Sequence, residues 1–143
     1  MAIGVDPTTI ISNFPTVVCV GEALPFTSNL FDVAICFNVL DHVIEPKRAT
    51  QEISRTLAPE GMFFLSTHVF PRYISKILDA ISPPVDKPHP CHFSTFKVRL
   101  LLNMNGLSVV QSKTSGLDVN GIKAKLGRLM RVKKICIIAK KRT

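Results

Sequence analysis

The sequence has no long apolar run, no low-complexity segment and no pair of cysteines at CxxC spacing. No apolar stretch approaches the roughly 18 residues that a membrane-spanning helix needs. The N-terminal residues MAIGVDP lack the positive charge and apolar core of a secretory signal. These absences predict a cytoplasmic chain. With 143 residues and 46% hydrophobic content, the chain can fold as one domain around a core.

The cysteines predict neither a disulfide framework nor a metal site. Cys19, Cys36 and Cys136 lie in apolar, strand-like segments and are predicted to be buried free thiols. Residues 89–92 (HPCH) bring possible metal ligands together. Their spacing fits no zinc pattern and no fourth ligand is evident, so no metal is predicted there.

The excess of positive charge lies entirely in the C-terminal part of the chain, because residues 1–112 hold eight basic and nine acidic residues. The net charge is +8, and residues 113–143 hold ten lysines and arginines against the single acid Asp118. This region predicts either a surface for nucleic acid or another anion, or a solvated helix face followed by a basic tail at residues 140–143. No aromatic side chain lies among these charges to stack on bases, which favours the solvated face.

Residues 30–66 predict a strand, a helix and a second strand, the unit around which the chain is organised. Phe31–Phe37 is a short apolar run typical of a buried parallel strand. Over residues 46–57, apolar side chains recur every four positions, and Pro46 suits a first helical turn. The APEG segment ends this helix, and residues 62–65 begin the next strand. Such a unit is a right-handed crossover between parallel strands.

Strands and helices alternate along the rest of the chain. Further strands are predicted at residues 2–5, 17–20, 107–112 and 134–140, and helices at residues 7–14, 74–81, 95–105 and 119–130. Ser94 is a predicted N-cap, and Gly106 is the predicted end of the helix that follows it. A Pro-rich connection occupies residues 83–92. The alternation predicts an α/β three-layer sandwich, a single domain over residues 1–143.

Polar side chains follow the predicted strands where each strand ends. In an open parallel sheet these carboxyl ends share one rim, and ligands bind in the crevice beyond it. An acid at that place is suited to hydrogen bonds from vicinal ribose hydroxyls. The polar residues concerned are Asp6, Glu22, Asn38, Asp41, His42, Ser66, Thr67 and His68. Their convergence predicts a site for an adenosyl-type ligand.

Six segments, in order along the chain, carry a family resemblance: GVDP, GEALPF, FDVAICFNVLDHVIEP, EISRTLAPEGMFFLS, HPCHFS and NMNGLSVV. Together they resemble the class I S-adenosylmethionine-dependent methyltransferases, and more narrowly the type 11 group. The resemblance implies a Rossmann-like, mostly parallel sheet with an antiparallel last strand. It also implies S-adenosylmethionine as cofactor and methyl transfer to a small-molecule acceptor.

The resemblance implies cofactor contacts at positions that match the family's motifs. An acid after the first predicted strand would hold the ribose, the loop after the second would run beside the adenine, and the turn after the third would line the methionine arm. The residues at these positions are Asp6, Gly21, Glu22, Asn38, Val39 and Leu40. His42 and His68 are the candidate catalytic bases, because an imidazole titrates near working pH.

The same resemblance implies an earlier strand with a GxGxG turn, and none of the seven glycines forms such a cluster. We therefore expect an N-terminally truncated domain with impaired cofactor binding. The strands on either side of the missing one must pair directly, leave backbone groups unpaired, or accept a strand from another chain. A buried gap is least favoured, because each unsatisfied amide costs ~1–3 kcal/mol. A half-open sheet also favours homo-oligomers.

Three functions stay open on the sequence. The first is a methyltransferase domain acting on a small molecule, and the second is a degenerate, non-catalytic form of that domain. The third is a basic module that binds nucleic acid or other anions through residues 113–143, with an affinity that falls steeply with salt.

Overall fold

The computed structural model describes residues 2–8, 15–81, 90–116 and 130–143. In these ranges the elements are, in chain order, β1 Gly4–Asp6, β2 Thr16–Val18, β3 Phe31–Phe37, α1 Pro46–Thr56, β4 Leu57–Val69, α2 Arg72–Ile81, α3 Thr95–Met104, β5 Leu107–Ser115 and β6 Lys133–Lys141. Three predictions fall wholly or mostly outside the described residues. They are the helix at 7–14, the Pro-rich connection at 83–92 and the basic helix at 119–130.

Four strands form the main sheet, in the order β3, β4, β6, β5. β3 and β4 are parallel, and β6 is antiparallel to both of its neighbours. The predicted α/β class and the antiparallel last strand are therefore confirmed. β1 and β2 form a separate parallel pair.

β4 is much longer than the sequence pattern predicts. We expected a strand beginning at Met62, but pairing starts at Leu57 opposite Phe31 and resumes at Met62 opposite Val33. The residues between them bulge out, and Glu60 has a φ of 67°. At the other end, β4 continues to Val69 because β6 pairs with it over that whole length.

Gly61 makes this bulge possible. A Cβ atom at Gly61 would lie 2.8 Å from the carbonyl oxygen of Ala58 and 3.2 Å from that of Asp32 on β3. Any side chain would push these backbone segments apart. The glycine of the APEG segment therefore serves close approach between β3 and β4.

The core lies on one face of the main sheet, which we call the covered face. Alternate residues of β4 and β6 point to it, as the two-residue period of a strand requires. Helices α1 and α3 pack over this face through Ala49, Val98 and Leu102. The other fully or nearly fully buried apolar residues are Leu40, Leu57, Phe63, Leu65, Val69, Phe93, Leu107, Ile135, Ile137 and Ala139.

The opposite face has no helix over it in the described ranges, and we call it the open face. Seven apolar or thiol side chains from three strands lie on it: Val33, Ile35, Phe37, Met62, Phe64, Cys136 and Ile138. Ser66, His68, Lys134 and Lys140 share this face. The prediction that β3 is buried is wrong for Val33, Ile35 and Phe37, which are 49%, 65% and 57% exposed. Cys136 is also exposed rather than buried, because the alternation of β6 turns Ile135 and Ile137 to the covered face instead.

β1 and β3 do not pair with each other. Within the described residues, β1 pairs with β2 alone and β3 with β4 alone. Direct pairing of the two flanking strands, one of the three outcomes that the sequence left open, is therefore absent from the described residues.

The ends of α3 follow the sequence prediction. The Ser94 hydroxyl accepts a hydrogen bond from the backbone N–H of Lys97 at 3.2 Å, which confirms the N-cap. Gly106 has a φ of +74°, the left-handed conformation that favours glycine just beyond a helix.

Candidate functional site

At the carboxyl end of β3, two hydrogen bonds join Asn38, the residue after the strand, to Ser66 on β4. The Asn38 backbone N–H donates to the Ser66 carbonyl at 2.8 Å, and the Ser66 hydroxyl donates to the Asn38 side-chain oxygen at 3.1 Å. Asn38 has a φ of +54°, which asparagine tolerates better than most residues. These contacts turn the chain sharply and leave Asn38 and Val39 exposed.

The next residues of this turn point inwards. Leu40 is 1% exposed and belongs to the core, so only its backbone is available to a ligand. Asp41 is also buried, and its carboxylate accepts a hydrogen bond from the Thr67 hydroxyl at 3.3 Å. The Asp41 carbonyl accepts from the Cys91 N–H at 3.4 Å. The turn is therefore anchored to the sheet behind it and presents a defined outer edge.

The two candidate bases occupy different settings. His42 is exposed in the turn, where its backbone N–H donates to the Val39 carbonyl at 2.9 Å. His68 is half-buried within β4, opposite Lys134 of β6. The prediction that Ser66, Thr67 and His68 follow a strand is therefore wrong, because β6 extends the pairing of β4 to Val69. His68 and Ser66 share one face of that strand.

Asp6 lies at the end of β1, as predicted. Its carboxylate accepts hydrogen bonds from the Thr8 N–H at 2.8 Å and the Thr8 hydroxyl at 2.6 Å. These bonds hold the pKa of Asp6 below its usual value, so the carboxylate is charged at neutral pH. The sequence predicted that Asp6 and Asn38 lie on the rim of one sheet. Instead, Asp6 belongs to the two-stranded sheet, whereas Asn38 follows a strand of the main sheet.

Glu22 makes a structural contact with α1. Its carboxylate accepts hydrogen bonds from the N–H groups of Ile44 and Glu45, at 2.9 and 3.2 Å, and so caps the start of α1. The neighbouring Gly21 packs on the same helix, where an added Cβ would lie 3.6 Å from the Cβ of Ala49. The cofactor roles of Gly21 and Glu22 stay predictions, beside these observed contacts with the helix.

Sequence reasoning missed Arg55, which ties the loop before β3 to α1. Its guanidinium donates to the Phe26 and Leu24 carbonyls at 2.7 and 3.0 Å and to both oxygens of Glu52, at 2.7 and 2.8 Å. Glu52 also accepts from the Leu24 N–H at 3.0 Å. The LPF and RTL segments are distant in the sequence, and only their joint occurrence in the family resemblance indicated that they touch.

Neither Cys36 nor Cys91 is an activated nucleophile. Burial raises the pKa of Cys36 to about 11, so its neutral thiol form prevails at physiological pH. Burial also raises the pKa of Cys91, whose thiol donates to the Val43 carbonyl at 3.6 Å. Among the described residues, no group of three or more Cys, His, Asp or Glu side chains could hold a metal ion.

The structure describes only part of the basic region at residues 113–143. Residues 117–129 lie outside the described residues, so the hypothesis of an anion-binding surface over residues 113–143 stays a prediction. No helix in the described ranges combines the length and apolar composition required to cross a bilayer.

Residues 5–65 of this chain match the family described as "Methyltransferase domain". No curated protein sequence matches the chain. The fold is similar to the YcgJ protein of Bacillus subtilis, with 18% identity and a TM-score of 0.74, over 99% of this chain and 82% of that one. It is also similar to a complex between the Haloferax volcanii Trm112 methyltransferase activator and a methyltransferase, with 16% identity and a TM-score of 0.72, over 99% of this chain and 71% of that one.

A third similar structure is geranyl diphosphate methyltransferase in complex with S-adenosylmethionine. Its identity to this chain is 18% and the TM-score is 0.66, over 89% of this chain and 57% of that one. This chain therefore spans between 57% and 82% of the lengths of these three proteins. At such identities the likeness shows a shared fold.

Proposed function

We propose that this chain is a class I methyltransferase domain, which binds S-adenosylmethionine and transfers its methyl group to a small-molecule acceptor. The family match over residues 5–65 supports the reaction class. The observation that carries the placement is the turn at Asn38, held to Ser66 by two hydrogen bonds at the carboxyl end of adjacent parallel strands. Ligands of open α/β sheets bind at such ends.

The described residues fit the cofactor in part. The half-buried, charged carboxylate of Asp6 suits the two ribose hydroxyls, as an acceptor for both. The outer edge of the turn offers Asn38 and Val39 to the methionine arm. Glu22 and Leu40 act in this proposal by shaping the site: Glu22 fixes the start of α1, and Leu40 anchors the turn in the core.

The chemistry needs alignment more than reactive protein groups. The cofactor, when bound, supplies an electrophilic methyl on a sulfonium. The protein then holds the acceptor in line and keeps water away. An acceptor that carries a proton needs a base, and His68 or His42 takes this role. His68, half-buried on the strand face that Ser66 shares, is the better shielded from water of the two.

We propose further that cofactor affinity is weak. The sequence contains no GxGxG cluster to bring backbone N–H groups against the cofactor. The two contacts assigned above come from opposite ends of the cofactor, so the middle of the ligand receives no dedicated donor from the described residues. Weak binding would also lower turnover at a given cofactor concentration.

Calorimetric titration with S-adenosylmethionine and S-adenosylhomocysteine tests the proposal. We expect saturable binding of both, and an Asp6→Asn variant about tenfold weaker, since a neutral amide accepts from the ribose less strongly. Asp32→Asn is the matched control, because Asp32 is exposed near the amino end of β3. Absence of binding at millimolar ligand by folded protein, or equal affinities of the two variants, would contradict it.

A further inference from the structure

Residues 91–93, which we call the linking segment, lie between α2 and the turn at Asn38. On the side of the turn, the Cys91 N–H donates a hydrogen bond to the Asp41 carbonyl at 3.4 Å. The Cys91 thiol donates to the Val43 carbonyl at 3.6 Å. One residue of the linking segment therefore holds the later part of the turn by two contacts.

On its other side, the linking segment is held by α2. The Ser75 hydroxyl donates to the His92 carbonyl at 2.7 Å, and the Asp79 carboxylate accepts from the His92 backbone N–H at 3.2 Å. Ser75 and Asp79 are four residues apart, so both lie on one face of the helix. Both backbone polar groups of His92 are thus bound to α2.

Asp79 makes further contacts through the same carboxylate. Its Oδ1 atom lies 3.4 Å from the buried Nδ1 atom of His92, and its Oδ2 atom pairs with Nζ of Lys97, in the first turn of α3, at 2.8 Å. The Lys97 side chain is 47% exposed, so water weakens the ion pair. The hydrogen bond to the His92 backbone is therefore the contact of Asp79 that matters most for the linking segment.

The two ends of the linking segment are fixed by different forces. At its C-terminal end, Phe93 is 1% exposed in the core, and its carbonyl accepts from the Phe70 N–H at 2.8 Å. The Phe70 ring also packs edge to face on the His92 imidazole, with 5.5 Å between the ring centres. The backbone of Cys91 and His92 has polar contacts with α2 on one side and with the turn on the other.

We propose that Asp79 is a positioning residue for the turn at Asn38. By holding the backbone of His92, it keeps Cys91 where its N–H and thiol bind Asp41 and Val43. A hydrogen bond of 3.4 Å is near the limit of favourable geometry, so a small displacement of Cys91 breaks it. The inference rests on the proposed function, because this turn affects methyl transfer only if it lines the cofactor.

The turn also has contacts of its own, and they define where the effect of Asp79 is largest. Two hydrogen bonds to Ser66 fix the turn at Asn38, its first residue. His42 lies between the two residues that Cys91 holds, and its N–H donates to the Val39 carbonyl at 2.9 Å. Loss of the Asp79 contact should therefore loosen the turn at His42 more than at Asn38.

Hydrogen exchange of the full chain, measured by nuclear magnetic resonance without ligand, tests this link. Asp79→Ala should accelerate exchange of the Cys91 and His42 amides by about tenfold, because both hydrogen bonds then open more often. Exchange of the Leu65 amide, in the core part of β4, should stay unchanged.

Two further variants show which contact of Asp79 is responsible. Asp79→Asn keeps an oxygen that accepts from the His92 N–H, so it should restore most of the protection. Lys97→Ala is the matched control, since it removes the ion pair and leaves the bonds to His92 in place. We expect this control to exchange like the unmodified protein.

Calorimetric titration with S-adenosylhomocysteine then connects the turn to the cofactor. Asp79→Ala should bind about fivefold more weakly, because part of the binding free energy must reorder the turn. Asp79→Asn and Lys97→Ala should stay within about twofold of the unmodified protein. A merely structural role for Asp79 would change stability and leave this order of affinities absent.

Four results would overturn the proposal. They are faster exchange at Cys91 without faster exchange at His42, equal acceleration at Leu65, equal effects of Asp79→Asn and Asp79→Ala, and full cofactor affinity in Asp79→Ala. Failure of the proposed function gives a different result. In that case the folded, unmodified protein binds no cofactor at millimolar concentration, while hydrogen exchange still decides whether Asp79 holds the turn.

Discussion

The covered and open faces of the main sheet differ in their surroundings more than in their residues. Phe63 and Phe64 are neighbours on β4, yet Phe63 is fully buried under the helices and Phe64 is half-exposed. The same alternation recurs on β6, where Ile137 is buried and Cys136 exposed. Apolar residues on both faces of a strand therefore do not show by themselves which face the helices of the chain cover.

The largest expected effect separates the two faces directly. Phe63→Ala should lower the free energy of unfolding by about 3–5 kcal/mol, because it leaves a cavity in the core. Phe64→Ala should cost about 1 kcal/mol, since that ring already meets solvent. Urea denaturation followed by circular dichroism measures both. Similar losses would mean that the open face is buried in the isolated chain.

The contact between β3 and β4 gives the next effect. Gly61→Ala should lower the free energy of unfolding by about 2 kcal/mol, because the new Cβ would lie 2.8 Å from the Ala58 carbonyl oxygen. Gly116→Ala is the matched control, since a Cβ there has nothing within 4 Å. We expect that control to change stability by less than ~0.5 kcal/mol. Equal changes would show that the bulge tolerates a side chain.

The helix layer of the covered face also depends on Arg55. Arg55→Ala should lower the free energy of unfolding, because it removes the hydrogen bonds to Glu52 and to the Leu24 and Phe26 carbonyls. Arg55→Lys keeps the charge, but its ammonium group cannot bind the Leu24 and Phe26 carbonyls and Glu52 at the same time. Its stability should therefore lie between those of the unmodified protein and Arg55→Ala. Thermal unfolding of the three proteins checks this order. If lysine fully replaced arginine, the charge alone would be responsible.

The smallest effect is a pH dependence from the same contact. The Arg55 hydrogen bond is the main cause that holds the pKa of Glu52 below its usual value of 4.5. A lowered folded-state pKa stabilises the fold above pH 4.5, and this contribution disappears as the pH falls through the folded-state value. Glu52→Gln should remove that part of the acid sensitivity, under about 1 kcal/mol, in unfolding curves between about pH 6 and pH 3. An unchanged acid limb would assign the sensitivity to other carboxylates.

Much of the local structure was predictable from short-range patterns. The limits of β3, the proline at the start of α1, the Ser94 cap and the Gly106 terminus depend on neighbours within a few residues. Such features follow from the backbone preferences of the residues and from the spacing of apolar side chains. The presence of Asn38 just after β3 was likewise readable, and its positive φ matches the residue type.

Features that depend on distant partners were not readable in the same way. The length of β4 is set by its pairing with β6, which begins more than sixty residues later in the chain. The sequence placed Glu22 at a ligand rim, but its carboxylate caps α1 across a separation of 22 residues. Arg55 reaches Phe26 across 29 residues. A hydrogen bond between groups so far apart leaves no periodic signal.

The amino-acid sequence by itself determined the α/β class, the order of strands and helices and the motifs of the methyltransferase resemblance, because these depend on local preference and composition. The tertiary structure alone decided which apolar face is covered and which polar side chains are already engaged. Burial and pairing are properties of the assembled sheet: a residue such as Ile35 is buried only if some other segment lies over it.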